Sequence, residues 1–342
     1  MAPVFPDLFP GCEMGSATLS ATICSVVSLK PLLALGDLTW DVLAKPHTLL
    51  LPGGDTTGVV LLMGGGSAAN VAVWAARVGY PAGFLGKVGH DCFGEFAVQE
   101  LTAEGVTPHV IWSKNTPTGV ILVLIDAAGQ RSMLTSQGAD FKLLPEEVPA
   151  EVIRQAGHLH VTAWSLFTDP PRQAALKAVW VACDAGITVS FDPASFQMIR
   201  EMGREEFHRI TRGLSPDFVF PNLEEGQALI GVREPMEVLE VLQELYPKAM
   251  ILLKLAAEGA LILDRGSLIE LPATQDRPVD ATGAGDSFSG AFLGHYLRFK
   301  DVRAAGQLAV QVAGWVIGRF GARPPMDAEV KQRIRRFGLA HK

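Results

Sequence analysis

Cysteine is scarce in this chain of 342 residues. The four present, Cys12, Cys24, Cys92 and Cys183, are scattered and form no C-x-x-C pair. That argues against a disulfide framework or a cysteine-held zinc, and makes a reducing cytoplasm the expected setting. No apolar run reaches the length of a membrane span, so no membrane partner is expected. A basic stripe is also missing: the net charge is −7, which argues against nucleic acid as a partner. It leaves phosphate ligands open, because backbone amides grip phosphate locally. What remains is 48% apolar and 19% charged, the composition of a well-buried globular protein. The length allows one large domain or two modest ones.

The first thirty residues, "MAPVFPDLFPGCEMGSATLSATICSVVSLK", hold Asp7 and Glu13 before their only base, Lys30. They lack the positive n-region of a signal peptide. Their prolines and small residues suggest a loose leader over residues 1–31, with a structured extension as the alternative.

From Pro31 onward two kinds of segment alternate. Short apolar runs read as buried strands: "LLALGDL" (32–38), "AGFLGKVG" (82–89), "HLHVTAW" (158–164), "ITVSFDP" (187–193), "FVFPN" (218–222) and "AMILLKL" (249–255). Between them, "AANVAVWAARVG", "FGEFAVQELTAEG", "PPRQAALKAVWVACDAG" and "PMEVLEVLQELY" have helical periodicity. Strands alternating with helices mean βαβ units and a mainly parallel sheet covered on both faces. Ligands then sit beyond the carboxyl ends of the strands. Two stretches break the rhythm, "HTLLLPGGDTTGVVLLM" (47–63) and "TGVILVLIDAAGQRSML" (118–134), the second with a hairpin turn in "IDAAGQR". Together they can form a small lid sheet, which implies a reaction that excludes water.

The most informative string is "VDATGAGDSFSGAFLG" (279–294). Glycines 283 and 285 let backbone N–H groups converge, and a helix beginning near Asp286 adds its positive end. That makes an anion hole of Gly283, Ala284 and Gly285. The helix end also keeps Asp286 ionised, ready to take a proton from a hydroxyl attacking phosphorus. The plain alternative is a glycine-rich turn followed by an ordinary first-turn acid. Upstream, "GGGSAANVAVWAARVG" (64–79) places Gly65 and Gly66 where backbone can approach a polyol. The Asn70 amide can both donate to and accept from hydroxyls. Gly64-x-Gly66-x-x-Ala69 also fits a dinucleotide turn, but that motif should directly follow the first βα strand, and here a β-rich excursion intervenes.

These two strings, in this order and with βα units between them, resemble the two signatures of the ribokinase (PfkB-type) carbohydrate kinases, over roughly residues 32–325. The resemblance implies an ATP-dependent phosphotransferase: a three-layer α/β/α core with a mainly parallel sheet, plus a small β-sheet lid. It implies a single kinase domain over 32–342, with lid segments at about 42–63 and 112–136. Asp286 matches the catalytic base and Gly283, Ala284 and Gly285 the anion hole. The sugar site matches Asp41 in "GDLTWDVL" together with Gly65, Gly66 and Asn70, and Asp37 is a weaker neighbour.

"PNLEEGQAL" (221–229) resembles the family's Asn-x-x-Glu motif, read as Asn222 and Glu225, with Glu225 toward Mg²⁺. Its alternative is a helix cap with a capping-box acid. Lys254 lies where the family contacts nucleotide phosphates, or is a strand-end surface lysine. Thr282 joins the nucleotide loop, and with Asp280 resembles positions near a monovalent-cation site such as one for K⁺. Arg131 beside the lid turn is either a grip for an acidic substrate or a solvated hairpin residue. "VGHDCFG" (88–94) resembles a family stretch whose glycines and aspartate position the following helix, and His90 and Cys92 read as structural. Trp164 is a sugar platform or a core residue.

The chain departs from the family pattern at Ala194, Ala256, Ala281 and Asp140. The expected reaction moves the ATP γ-phosphoryl group to a hydroxyl of a small sugar, leaving ribose, fructose, 2-keto-3-deoxygluconate or a polyol open. A nucleoside kinase and a non-catalytic binding protein are the alternatives. An apolar lid face is expected to pair with its twin in a homodimer.

Overall fold

The computed structural model describes residues 29–126 and 131–339. The leader expected over residues 1–31 therefore lies almost wholly outside the described residues, as do turn positions 127–130.

Thirteen strands occur among the described residues. The first seven are β1 (Leu32–Leu35), β2 (Thr39–Pro46), β3 (Gly58–Gly65), β4 (Ala82–Gly89), β5 (Val106–Ser113), β6 (Val120–Ile125) and β7 (Arg131–Ser136). They continue as β8 (His158–Thr162), β9 (Thr188–Asp192), β10 (Phe218–Val219), β11 (Met250–Lys254), β12 (Ala260–Asp264) and β13 (Ser267–Leu271). Nine form one sheet in the order β13-β12-β11-β10-β9-β8-β1-β4-β5. From β11 to β5 every pairing is parallel, and only the β12–β13 edge is antiparallel. All four residues of β1 and all eight of β4 are buried, because helices cover both faces. Large apolar cores lie on each side of the sheet, one with Leu35, Val161 and Phe191, the other with Ala34, Phe84 and Phe292. The chain has the three-layer α/β/α core that the resemblance implied.

The remaining strands form a second sheet, β3-β2-β6-β7. β2 pairs antiparallel with β3 and parallel with β6, and β6 pairs antiparallel with β7. Its strands follow the period of two. Leu43, Val123 and Ile125 face inward onto a small cluster with Phe320. Val60, Leu62, Leu124 and Leu134 stay exposed on the lid sheet.

One helix pair positions the chemistry. Helix α1 (Ser67–Arg77) is apolar on nearly every side and packs against the helix Ala284–Phe299. Close approach is possible because Gly290 and Gly294 face α1. A Cβ at Gly290 would lie 2.5 Å from the Val71 carbonyl oxygen, and one at Gly294 2.5 Å from Val78 Cγ2. With no side chains between them, the N-terminal turns of both helices meet at the carboxyl edge of the sheet.

Candidate active site

The turn before the helix Ala284–Phe299 is shaped by one buried carboxylate. Asp280 accepts from Thr282 N at 2.9 Å, Thr282 Oγ1 at 2.6 Å and Gly321 N at 2.8 Å. Gly283 then takes φ 72°, and a Cβ there would sit 2.3 Å from Ala322 Cβ, so only glycine fits. Among the described residues, the Gly285 and Asp286 amides donate to nothing, and Ala284 N makes only a 3.3 Å contact with the Ala281 carbonyl. These are the orphan donors of a helix start, and they converge beside a positive charge. Lys254 Nζ lies 3.2 Å from where a Gly285 Cβ would stand. The arrangement attracts an anion.

Asp286 sits on the first turn of that helix and faces α1. Its Oδ1 accepts from Ser67 Oγ at 2.8 Å and its Oδ2 from Asn70 Nδ2 at 2.7 Å. Burial pushes its pKa up; the Asn70 and Ser67 hydrogen bonds oppose this, while the Asp192 and Asp37 carboxylates add to it. The helix end was expected to favour the ionised form of Asp286, and burial outweighs that influence. Desolvation is the largest influence, and its direction is upward. A carboxyl raised above its ordinary value is, once ionised, the stronger proton acceptor.

Asp41 lies beside this pair, buried on β2. Thr39 Oγ1 donates to its Oδ1 at 3.0 Å. A Cβ at Gly65 would fall 2.0 Å from the same oxygen, so the carboxylate occupies the space that this glycine leaves. Burial raises Asp41 to about 7; Thr39 and the Arg323 charge lower it, and Asp37 and Asp286 raise it. Asp37 itself is consumed by α1: it accepts from Ser67 N at 2.7 Å and Ala68 N at 3.2 Å, supplying the cap that Gly66 lacks. Asp140, also buried, is raised to about 7 by burial and then by Asp37.

A second group lies on the other side of the turn. Lys254 at the end of β11 donates to Asp192 Oδ2 at 2.9 Å, and its strand position bridges to Asn222. Asn222 and Glu225 form a reciprocal capping box, with both hydrogen bonds at 2.8 Å. Glu225 is buried and raised to about 7, by burial first and then Asp192, with Lys254 opposing. Among the described residues no three His, Cys, Asp or Glu side chains are grouped to hold a metal ion. A Mg²⁺ beside nucleotide phosphates takes one or two carboxylates and otherwise water and phosphate oxygen. Glu225 fits that lighter demand, since its capping bond uses Oε2 and, among the described residues, leaves Oε1 free of protein donors.

The fold thus gathers Asp286, Gly283, Ala284, Gly285, Asp41, Gly65, Gly66 and Asn70 at one place, with Thr282, Lys254, Asn222 and Glu225 flanking it. Arg131 on the lid donates to the Ala281 carbonyl, so the second sheet touches the anion-hole turn. Trp164 packs edge-on against Phe167 beside the core, and His90 lies against Trp112. Asp91 caps the helix after it by accepting from Gly94 N at 2.9 Å. Three participants were not singled out from sequence: Ser67, Asp192 and Arg323. Arg323 donates from Nε to Asn70 Oδ1 at 2.7 Å and from Nη2 to the Gly65 carbonyl at 2.9 Å. An arginine in the small-residue string "FGARPP" was its only visible signal. Two surface clefts of about 340 and 430 Å³ are lined by none of the gathered or flanking site residues.

Comparison with known proteins gives a consistent picture. The family model described as pfkB family carbohydrate kinase matches residues 33–329. The chain is 30% identical over 312 residues to an ATP-dependent ribose-1-phosphate kinase of Halopiger xanaduensis, covering 89% of this chain and 98% of that one. It is 32% identical over 270 residues to a fructokinase of Escherichia coli, covering 76% of this chain and 82% of that one. Among solved structures, a putative ribokinase II from E. coli in complex with ATP and Mg²⁺ superposes with a TM-score of 0.79 at 24% identity, covering 90% of this chain and all of the other.

Proposed function

The chain belongs to the pfkB family of carbohydrate kinases, and from that premise we propose how its residues move a phosphoryl group. The enzyme is an ATP-dependent kinase acting on a hydroxyl of a small carbohydrate. In our reading Asp41, Gly65, Gly66 and Asn70 hold the sugar, and Asp286 takes the proton of the attacking hydroxyl. The Gly283, Ala284 and Gly285 turn stabilises the charge that develops on the transferring group, with Lys254 beside it. Thr282 and Asn222 line the nucleotide side, and Glu225 would hold Mg²⁺ through its free oxygen. When bound, Mg²⁺ supplies neutralisation of the phosphate charge. A monovalent cation such as K⁺ is proposed at the Asp280–Thr282 turn, supported by a fully buried Asp280 that has no cationic partner among the described residues.

The observation that carries the reading is the contact of Asp286 with Ser67 and Asn70, beside amides that have no acceptor among the described residues. Asp37, Asp41, Asp140 and Asp286 give the sugar side an acidic wall, which favours an uncharged polyol over a phosphorylated sugar. We place residues 32–342 in one kinase domain, with β2, β3, β6 and β7 as its lid. The exposed apolar face of that lid supports a homodimer. Among the described residues no helix is long and apolar enough to cross a membrane. ATP dependence and the exposed free thiols of Cys92 and Cys183 support a cytoplasmic setting, and the negative net charge supports no nucleic-acid partner.

The test is ADP formation from ATP and Mg²⁺ with fructose, ribose, 2-keto-3-deoxygluconate, ribose 1-phosphate and adenosine. Turnover with a neutral sugar is expected. Turnover with adenosine alone would make the enzyme a nucleoside kinase, and none with any compound would favour a binding protein on this fold.

A further inference from the structure

Arg323 lies where no catalytic role is expected, yet it completes a chain that ends on Asp286. The Asn70 amide has one acceptor oxygen and one donor nitrogen, and the side chain can be turned either way. A guanidinium only donates and an ionised carboxylate only accepts. With Arg323 Nε 2.7 Å from Oδ1 and Asp286 Oδ2 2.7 Å from Nδ2, one orientation satisfies both neighbours, and the flipped one sets like groups against each other. Arg323 is itself held firmly. It is buried, its Nη2 binds the Gly65 carbonyl, and Arg77 grips the carbonyls of Arg323 and Pro324 at 3.3 and 3.0 Å. Arg77 in turn forms a bidentate pair with Glu104 at 2.7 and 2.6 Å. A buried arginine present only for stability would be expected to use all its donors. Among the described residues Nη1 has no hydrogen-bond partner, and the nearest acid, Glu100, stands 3.7 Å away. The side chain is aimed instead by what Nε and Nη2 touch.

We propose that Arg323 is a positioning residue for Asp286: it locks the Asn70 amide so that its NH₂ group faces the carboxylate. This rests on the reading of Asp286 as the base, but the lock can be measured without turnover. The charged groups facing Asp286 from the surrounding elements are Asp37 after β1, Asp41 on β2, Asp192 on β9, Lys254 on β11 and Glu225 on its helix. Of these, Asp41 is itself lowered by the Arg323 charge; that effect does not depend on Asn70, so a shift carried through Asp41 would persist in an Asn70→Ala background.

The experiment is a titration of the full chain carrying ¹³Cγ-labelled aspartate, without substrate, the Asp286 signal being assigned by its loss in Asp286→Asn. Arg323→Met is expected to raise the Asp286 midpoint by at least about half a pH unit, because an unlocked amide stops donating to the ionised form. In an Asn70→Ala background the same substitution should add less than about 0.2 unit, the signature of an effect carried through Asn70. On an accepted sugar, kcat should fall roughly tenfold while KM for ATP stays within about twofold. A folded Arg323→Met protein with an unmoved midpoint overturns the proposal, as does a shift that persists without Asn70. If Arg323→Met does not fold, Arg323→Lys takes its place in the same cycle. Failure of both to fold would make Arg323 a stability residue and overturn the proposal too. Loss of ADP formation in the wild-type protein would strike the base assignment alone, since the titration still reports on the lock.

Discussion

Asn70 and Asp286 are separated by 216 positions in the chain, yet the amide nitrogen of one lies 2.7 Å from a carboxylate oxygen of the other. The contact ties the family's two signature strings into one site. It exists because Gly290 and Gly294 let the two helices that carry these residues approach without side chains between them.

Gly65 leaves the space that the Asp41 carboxylate fills. Gly65→Ala would put a methyl 2.0 Å from Asp41 Oδ1, so the acid must turn away from the sugar side. We expect kcat/KM for the sugar to fall by about 10²-fold with KM for ATP nearly unchanged, because only sugar positioning is disturbed. Steady-state kinetics with each substrate varied in turn would check this. A matched rise in both KM values would place the fault elsewhere.

Ala256 stands where the family usually has glycine, and it takes φ 51°, in the left-handed region. A Cβ is costly there, while glycine adopts the conformation freely. Ala256→Gly should therefore stabilise the protein by roughly 0.5–1 kcal/mol after allowing for the looser unfolded chain. For a chain of this size that is an increase of about 1–2 °C in Tm, readable by calorimetry. A lower Tm would show that the turn does not need the glycine. Ala194, the other departure near the site, is also left-handed at φ 63°.

His158 and His160 sit side by side inside the sheet and share the Ser190 hydroxyl. Burial drives both downward, His160 to about 4. The folded state holds them neutral, while an unfolded chain protonates them near the ordinary histidine value. The unfolded state therefore binds more protons below about 6.5, and stability falls with pH. The loss begins near pH 6.5 and is complete below about 4, on the order of 3 kcal/mol for His160 alone. Urea unfolding between pH 7 and 4 should show it, and His160→Gln should flatten the slope. An unchanged slope in that variant would remove His160 from the account.

Much of this was legible in the sequence, for local reasons. β4 is bounded at the residues read from "AGFLGKVG", because a buried parallel strand is one unbroken apolar run. The anion-hole turn and the Asn222–Glu225 cap depend on spacings of a few residues, which a string displays directly. β12 and β13 escape a search for βαβ alternation, since they follow β11 with no α-helix between. Arg323 meets Asn70, and Ser67 meets Asp286, across 253 and 219 positions, and no local pattern marks such a meeting. The direction of the Asp286 shift was missed for a related reason. A helix end is visible in sequence, whereas the burial that outweighs it is a property of the packed whole.

Asp286 is the centre of the account, and its removal is the most direct test. With an accepted sugar, Asp286→Ala should lower kcat by on the order of 10²–10⁴ while ATP binding changes little. The wild-type enzyme should lose kcat/KM toward acid pH along a limb above the ordinary carboxylate range, since burial raises this acid and only its ionised form accepts a proton. The measurement is ADP release by the folded Asp286→Ala protein beside wild type at pH 7. A loss of about a hundredfold or more is predicted, and turnover close to wild type would contradict the assignment of Asp286 as the base.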